Sequence, residues 1–168
     1  LVLDAFISEM ARAAKEMKGE VVDCAGDRVM AIFWRPFGDH SVIPIHDAIQ
    51  CAFWMQTIVN RALNPVLRNA NLPNLGCGIG VDYGTVVIAR VGIRNRNKMV
   101  FLGEAANFAA SLEGFAQPGH TLLSNIVYMN KPNFMTEANN WFFDPWPLNQ
   151  TPLYWTSGCV FRNDFPPK

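Results

Sequence analysis

The sequence has no surplus of either charge: lysines plus arginines number 14, as do aspartates plus glutamates. That balance removes the global field that would draw the chain to nucleic acid or to an acidic membrane surface, so neither is expected as a partner. No apolar run approaches the roughly 18 residues a membrane span requires, and no secretory leader is visible. Cysteine is scarce. Cys24, Cys51, Cys77 and Cys159 are far apart and form no C-x-x-C, which argues against a disulfide framework and for a reducing, cytoplasmic setting. The first three sit in apolar runs and are expected to pack as small hydrophobes. The histidines His40, His46 and His120 lack zinc-like spacing. Gly78, Gly80 and Gly84 do not follow the dinucleotide-binding glycine pattern, and no Gly-x-Ser-x-Gly elbow occurs.

What is present is globular: of 168 residues, 50% are hydrophobic and 17% charged. That is one domain's worth of chain, read as residues 1–168 with a core over 1–130 and an aromatic, proline-rich extension over 131–168. Leu3, Phe6, Ile7, Met10, Ala14 and Met17 recur at helical spacing, and Gly19 follows as a stop. Residues 20–24 and 29–34 read as two strands joined at Ala25-Gly26-Asp27-Arg28. Pro36, Gly38 and Pro44 mark a loop before a helix over 46–63. Pro65 to Asn74 reads as polar and turn-rich. Strands are expected at 77–82, 85–91, 99–102 and 121–123, with a polar tip at 94–98. A helix is expected over 104–115, its packed face formed by Phe108, Leu112 and Phe115, and Ser124 is a plausible N-cap. Trp141, Phe142, Phe143, Trp146, Tyr154 and Trp155 of the extension are expected to cover the sheet or a dimer contact.

Few residues could carry chemistry. Asp27 on a glycine-assisted turn is either an ordinary turn carboxylate or a ligand for a hard cation carrying phosphates. Asn107 and Ser111, four residues apart, project from one face of the 104–115 helix, opposite the packed one. Arg94, Arg96 and Lys98 are either a solvated hairpin tip or a triphosphate contact. No aromatic residues interleave them, which disfavours single-strand nucleic-acid binding. Asp23 is either a salt-bridge partner or an acceptor for a base edge.

Two stretches carry a resemblance: Gly19 to Phe33, GEVVDCAGDRVMAIF, and Arg90 to Glu113, RVGIRNRNKMVFLGEAANFAASLE. Together they resemble the catalytic domain of the class III nucleotide cyclases, the adenylyl and guanylyl cyclases. The resemblance implies an α/β (α+β), ferredoxin-like palm domain with a β-α-β-β-α-β core, whose first strand would precede Leu1. It implies a homodimer with shared active sites, and a nucleoside triphosphate cyclised with release of pyrophosphate. Asp27 would hold magnesium or manganese, in a two-ion site whose other aspartate lies on the first strand. Asn107 would orient the ribose. Ser111 falls where the family usually has an arginine steadying the phosphoryl charge, so a catalytically degenerate, regulatory or dimerising domain is the alternative reading.

By the same resemblance Asp23 and Val100 occupy the two base-selecting positions. An acceptor-only carboxylate beside an apolar partner suits guanine or uracil better than adenine, so UTP, GTP or CTP is favoured over ATP. The string IGVDYGTVVIARVGIRNRNKMVFLGEAANFAA also resembles the bacterial pyrimidine cyclases of Pycsar antiphage systems. That branch implies cyclic UMP or another cyclic pyrimidine nucleotide as a defence signal.

Overall fold

The computed structural model describes the backbone of residues 2–35, 43–93, 96–132, 135, 144–148 and 151–157, with side chains over 2–35, 43–92, 99–132 and 135. Helix α1 (Val2–Glu16) turns Met10, Ala13 and Ala14 fully inward and is followed by buried Met17. Its stop is sharper than a single glycine: Lys18 takes the left-handed conformation, φ 62°, and Gly19 N–H donates to Ala14 O at 2.7 Å. That pairing satisfies a carbonyl the helix end would otherwise leave unpaired. A Cβ at Gly19 would stand 2.5 Å from the Phe33 ring, which would have to shift to admit it.

Strands β1 (Glu20–Ala25) and β2 (Arg28–Ile32) form an antiparallel ribbon joined through Gly26 and Asp27. Gly26 takes φ 64°, as the first central residue of a two-residue hairpin turn often must. The apolar side chains Val21, Val29, Ala31 and Phe33 pack with α1 and with α2 (Pro44–Ile58). Cys51 is buried and Cys77 half-buried as expected, whereas Cys24 lies beyond this packing near the hairpin tip and is exposed.

Helix α2 continues into a single π-helical turn, Val59–Leu63, and then α3 (Asn64–Asn69). The expected turn-rich stretch after Pro65 therefore begins as helix, because proline is tolerated in a first helical turn. Asn64 then fixes the return of the chain. Its buried amide donates to Leu75 O at 3.0 Å and accepts from Leu75 N–H at 2.7 Å.

Strand β3 (Ile79–Val81) is shorter than expected and pairs in parallel with β6 (His120–Ser124). One face of its approach carries no side chains, because Gly76, Gly78 and Gly80 alternate. A Cβ at Gly80 would run into the Ala109 carbonyl and stand 2.5 Å from Glu113 N; one at Gly78 would meet Ala116 O at 2.9 Å. The bare face lets α4 (Glu104–Phe115) lie directly on β3. The opposite side chains, Ile79 and Val81, pack toward Ile49, Ala52 and Phe53 of α2. Helices α1 and α2 thus flank one side of the sheets and α4 the other.

Strands β4 (Val87–Ile93) and β5 (Arg96–Leu102) form a second ribbon. β5 begins three residues earlier than expected, so Arg96 and Lys98 lie in the strand and not at the tip. After β6 come α5 (Asn125–Met129), β7 (Asp144–Leu148) and β8 (Thr151–Ser157). The Ser124 hydroxyl makes no capping bond to α5 and is buried without a partner. Trp141, Phe142 and Phe143 of the extension, and the side chains of Trp146, Tyr154 and Trp155, lie outside the described residues, so only the backbone of two of its strands is described. β8 pairs antiparallel with β6 and extends the sheet in plane, in the order β3-β6-β8-β7.

The described strands fall into three separate sheets, and this leaves one edge of β2 and one edge of β3 without a ladder partner. Both edges line one apolar cavity of about 580 Å³, walled by Ala31 and Ile32 on one side, Gly80 and Val81 on the other, and Ala52 and Ala105 above and below.

Candidate active site

Asp27 projects at the exposed tip of the β1–β2 ribbon. Four residues earlier the ladder slips: Val21 pairs Ala31, and the next pair is Asp23 with Met30. Val22 is the extra residue of this bulge. In an unbroken ladder Asp23 would share a face with Val21 and point at the α1 and α2 core; the bulge puts it with Met30 on the α4 side. Asp23 is half-buried there.

Helix α4 starts at Gly103, whose φ of 154° and contact with the Thr85 carbonyl leave no room for a side chain. Glu104 places a carboxylate in the first turn, favourable at the positive end of the helix dipole. Ala105 and Leu112 are buried, while Asn107 and Ser111 are exposed together on the outer row as expected. The packed face ends sooner than the heptad-like spacing implied: Phe108 packs on Leu112 and Leu122, but Phe115 is 56% exposed. Ser111 Oγ donates to Asn107 O at 3.0 Å, so this hydroxyl is engaged by its own helix.

The hairpin tip meets α4 at one described ion pair, Arg28 Nε to Glu113 Oε2 at 3.3 Å. At 100° per residue, Glu113 lies about 120° round the helix from Asn107 and about 160° from Ser111. The side of α4 that meets the Asp27 turn is thus not the side that carries Asn107 and Ser111. Val100 is half-buried across from Ala89, on the β4–β5 face it shares with Val87 and Leu102. Arg94 and the side chains of Arg96 and Lys98 lie outside the described residues.

Asp27 is one carboxylate, and among the described residues no group of three or more His, Cys, Asp or Glu is placed to hold a metal ion. The described side chains therefore fit a single cation ligand and do not by themselves make a two-ion centre. Among the described residues no helix is long and apolar enough to cross a membrane.

Residues 1–140 match the family described as the adenylate and guanylate cyclase catalytic domain, and the chain belongs to that family. It is 28% identical over 138 residues to a uridylate cyclase of Rhodovulum sp. (strain MB263), spanning 79% of this chain and 55% of that protein. It is 29% identical over 118 residues to an adenylate cyclase of Anabaena cylindrica, spanning 68% of this chain and 22% of that protein. The chain thus spans about half the length of the first of these relatives or less. In fold it is similar to the adenylyl cyclase CyaB from P. aeruginosa, with a TM-score of 0.78, 18% identity, and 98% of this chain and 83% of that one covered. The guanylyl cyclase Cya2 superimposes with a TM-score of 0.72 at 20% identity, over 96% of this chain and 81% of that one.

Neither the bulge at Val22 nor the bare strand face made by the alternating glycines is among the sequence expectations. The G-x-G-x-G period at 76–80 is a legible signal for a strand lying bare against a helix; a bulge leaves no comparable mark.

Proposed function

We propose that this domain is a nucleotide cyclase, converting a nucleoside triphosphate to its 3′,5′-cyclic monophosphate and pyrophosphate. The observation that carries the reading is the family match, which spans both the Asp27 turn and the Asn107 helix start. In the reaction the 3′-oxygen bonds to the α-phosphorus, the bond to the pyrophosphate oxygen breaks, and the hydroxyl proton leaves to solvent. Asn107 orients the ribose; Arg94, Arg96 and Lys98 attract the triphosphate. Asp23 and Val100 face the base, with UTP, GTP or CTP favoured over ATP. Uridylate cyclases among the relatives support a pyrimidine. Cyclic UMP as an antiphage signal is part of the proposal.

Magnesium or manganese is the proposed cofactor, with Asp27 as one ligand. The open edges of β2 and β3 support the expectation of a further strand: an extended segment seated between them would join the sheets and bring a second carboxylate toward Asp27.

The sites are proposed to be shared between two copies. Asn107 lies on a different side of α4 from the residue meeting the Asp27 turn, which supports a second copy uniting the two. The β4–β5 ribbon supplies a surface for pairing, since Val87, Val91 and Leu102 are exposed on one face of it.

A second reading has its own observation. Ser111 stands where a cyclase arginine is usual, and its hydroxyl is bonded to the Asn107 carbonyl, which favours a degenerate regulatory domain. The test is to incubate the full-length protein with ATP, GTP, UTP and CTP plus manganese and to chromatograph the products. Cyclic product from a pyrimidine triphosphate is expected; none from any of the four leaves the degenerate reading in place.

A further inference from the structure

Resting on the cyclase reading and deepening it, we propose that Arg28 is a positioning residue whose ion pair with Glu113 tethers the Asp27 turn to the C-terminal end of α4.

Among the described residues the β1–β2 ribbon packs on the core as far as Val29 and leaves its turn outside. Val21, Val29, Ala31 and Phe33 pack with the α1 and α2 core, whereas Cys24 to Arg28 are all exposed. Among the described residues the ribbon joins no other sheet. A two-stranded ribbon standing beyond its core is marginal by itself, and its tip is the part most free to move. Asp27 sits at that tip, and a reacting site tolerates only fractions of an ångström of displacement.

Arg28 is placed to limit the motion. It pairs with Ala25 and follows the alternation of Met30, so its side chain leaves the ribbon on the α4 side, where Nε stands 3.3 Å from Glu113 Oε2. The far end of the pair is firm: Glu113 is half-buried, and its backbone nitrogen lies on the bare glycine face of β3. It also stands close to Cys77, whose thiol is pushed up to about 11 by burial, with the Glu113 charge adding to the effect.

The last turn of α4 contains Glu113 and no basic residue. An acid there opposes the negative end of the helix dipole, so the Arg28 cation relieves two unfavourable charges at once. Arg28 is 63% exposed, which keeps the pair in the range where solvent screening is strong and its contribution to overall stability is small. A tether of this kind acts on position more than on folding. In the paired arrangement, one helix would hold the turn of its own site while presenting Asn107 to the other.

The test uses full-length wild type, Arg28→Gln, Glu113→Gln, Arg28→Lys and the reversed pair Arg28→Glu with Glu113→Arg. Two measurements are made: hydrogen exchange of the amides of residues 24–28, and kcat against KM for the triphosphate that the wild type cyclises. In both glutamine variants exchange should rise several-fold, and kcat should fall about 2- to 5-fold with KM within about twofold. Arg28→Lys and the reversed pair should recover most of both. Unchanged exchange in the glutamine variants overturns the tether. Raised exchange with unchanged kcat, or no recovery in either rescuing variant, overturns the positioning role. A wild type that makes no cyclic nucleotide removes the cyclase reading alone, because the exchange comparison still decides whether the tether exists.

Discussion

Asp23 faces Met30 across the β1–β2 ribbon, on the opposite side of the ladder from the Val21 and Ala31 pair, because Val22 bulges out between them. One inserted residue turns a carboxylate from the apolar core toward the side where α4 lies. The consequence is testable. Asp23→Lys should fold, since the position is only half-buried, and should shift triphosphate preference away from uracil and guanine toward adenine. Product ratios from equimolar triphosphates measure it, and an unchanged ratio removes Asp23 as a selector.

The shared-site proposal predicts complementation. Asp27→Ala and Asn107→Ala should each lower activity about 100-fold or more. Mixed in equal amounts and re-equilibrated, half the dimers contain one of each, with one of two sites intact. About a quarter of wild-type activity should return. Mixtures no more active than either parent would place both residues in one protomer's site or in none.

The exposed ribbon predicts where pairing breaks. Val87→Asp with Val91→Asp places two charges on the apolar β4–β5 face and should yield monomers of unchanged far-ultraviolet circular dichroism. Sedimentation velocity reads the change; an intact dimer would point to another surface.

The buried thiols predict a pH profile. Burial pushes Cys51 up to about 12 and, with Glu113 contributing, Cys77 up to about 11. A thiol raised above its unfolded value, near 8.5, stabilises the fold below that value and loses the contribution as pH climbs toward the folded one. Melting temperature should therefore fall between about pH 9 and pH 12. Peptide mapping after brief iodoacetamide treatment at neutral pH should find exposed Cys24 modified well before Cys51 or Cys77.

Gly80→Ala probes the α4 contact. Its methyl would collide with the Ala109 and Glu113 backbone, which no rotamer change can relieve. The expected loss is about 1–3 kcal/mol in a denaturant titration. A wild-type midpoint would mean α4 does not rest on β3 as described.

Much of the frame was legible because it repeats. The α1 stripe, the Gly26-Asp27 turn and the outer row of Asn107 and Ser111 follow from local periods of 3.6 and 2. What escaped was non-local or lay outside any period. Phe115 continues the helical spacing yet is exposed, while its neighbour Ala116 still packs against Leu112 and Leu122. The 151–157 strand escaped because its partner, β6, lies more than twenty residues away, and the 144–148 strand joins the sheet only by pairing with it. Ser124 resembles a helix cap, but its hydroxyl makes no capping bond.

The residues alone determined the family, the turn that bears Asp27 and the helix that bears Asn107, because each is written in neighbours a few positions apart. Only the tertiary structure decided which side of the ribbon Asp23 takes, which side of α4 meets the turn, and that the edges of β2 and β3 stand open on one cavity. Those facts depend on strand register and on contacts between distant segments. A one-residue slip or a helix rotation changes them without altering any local pattern.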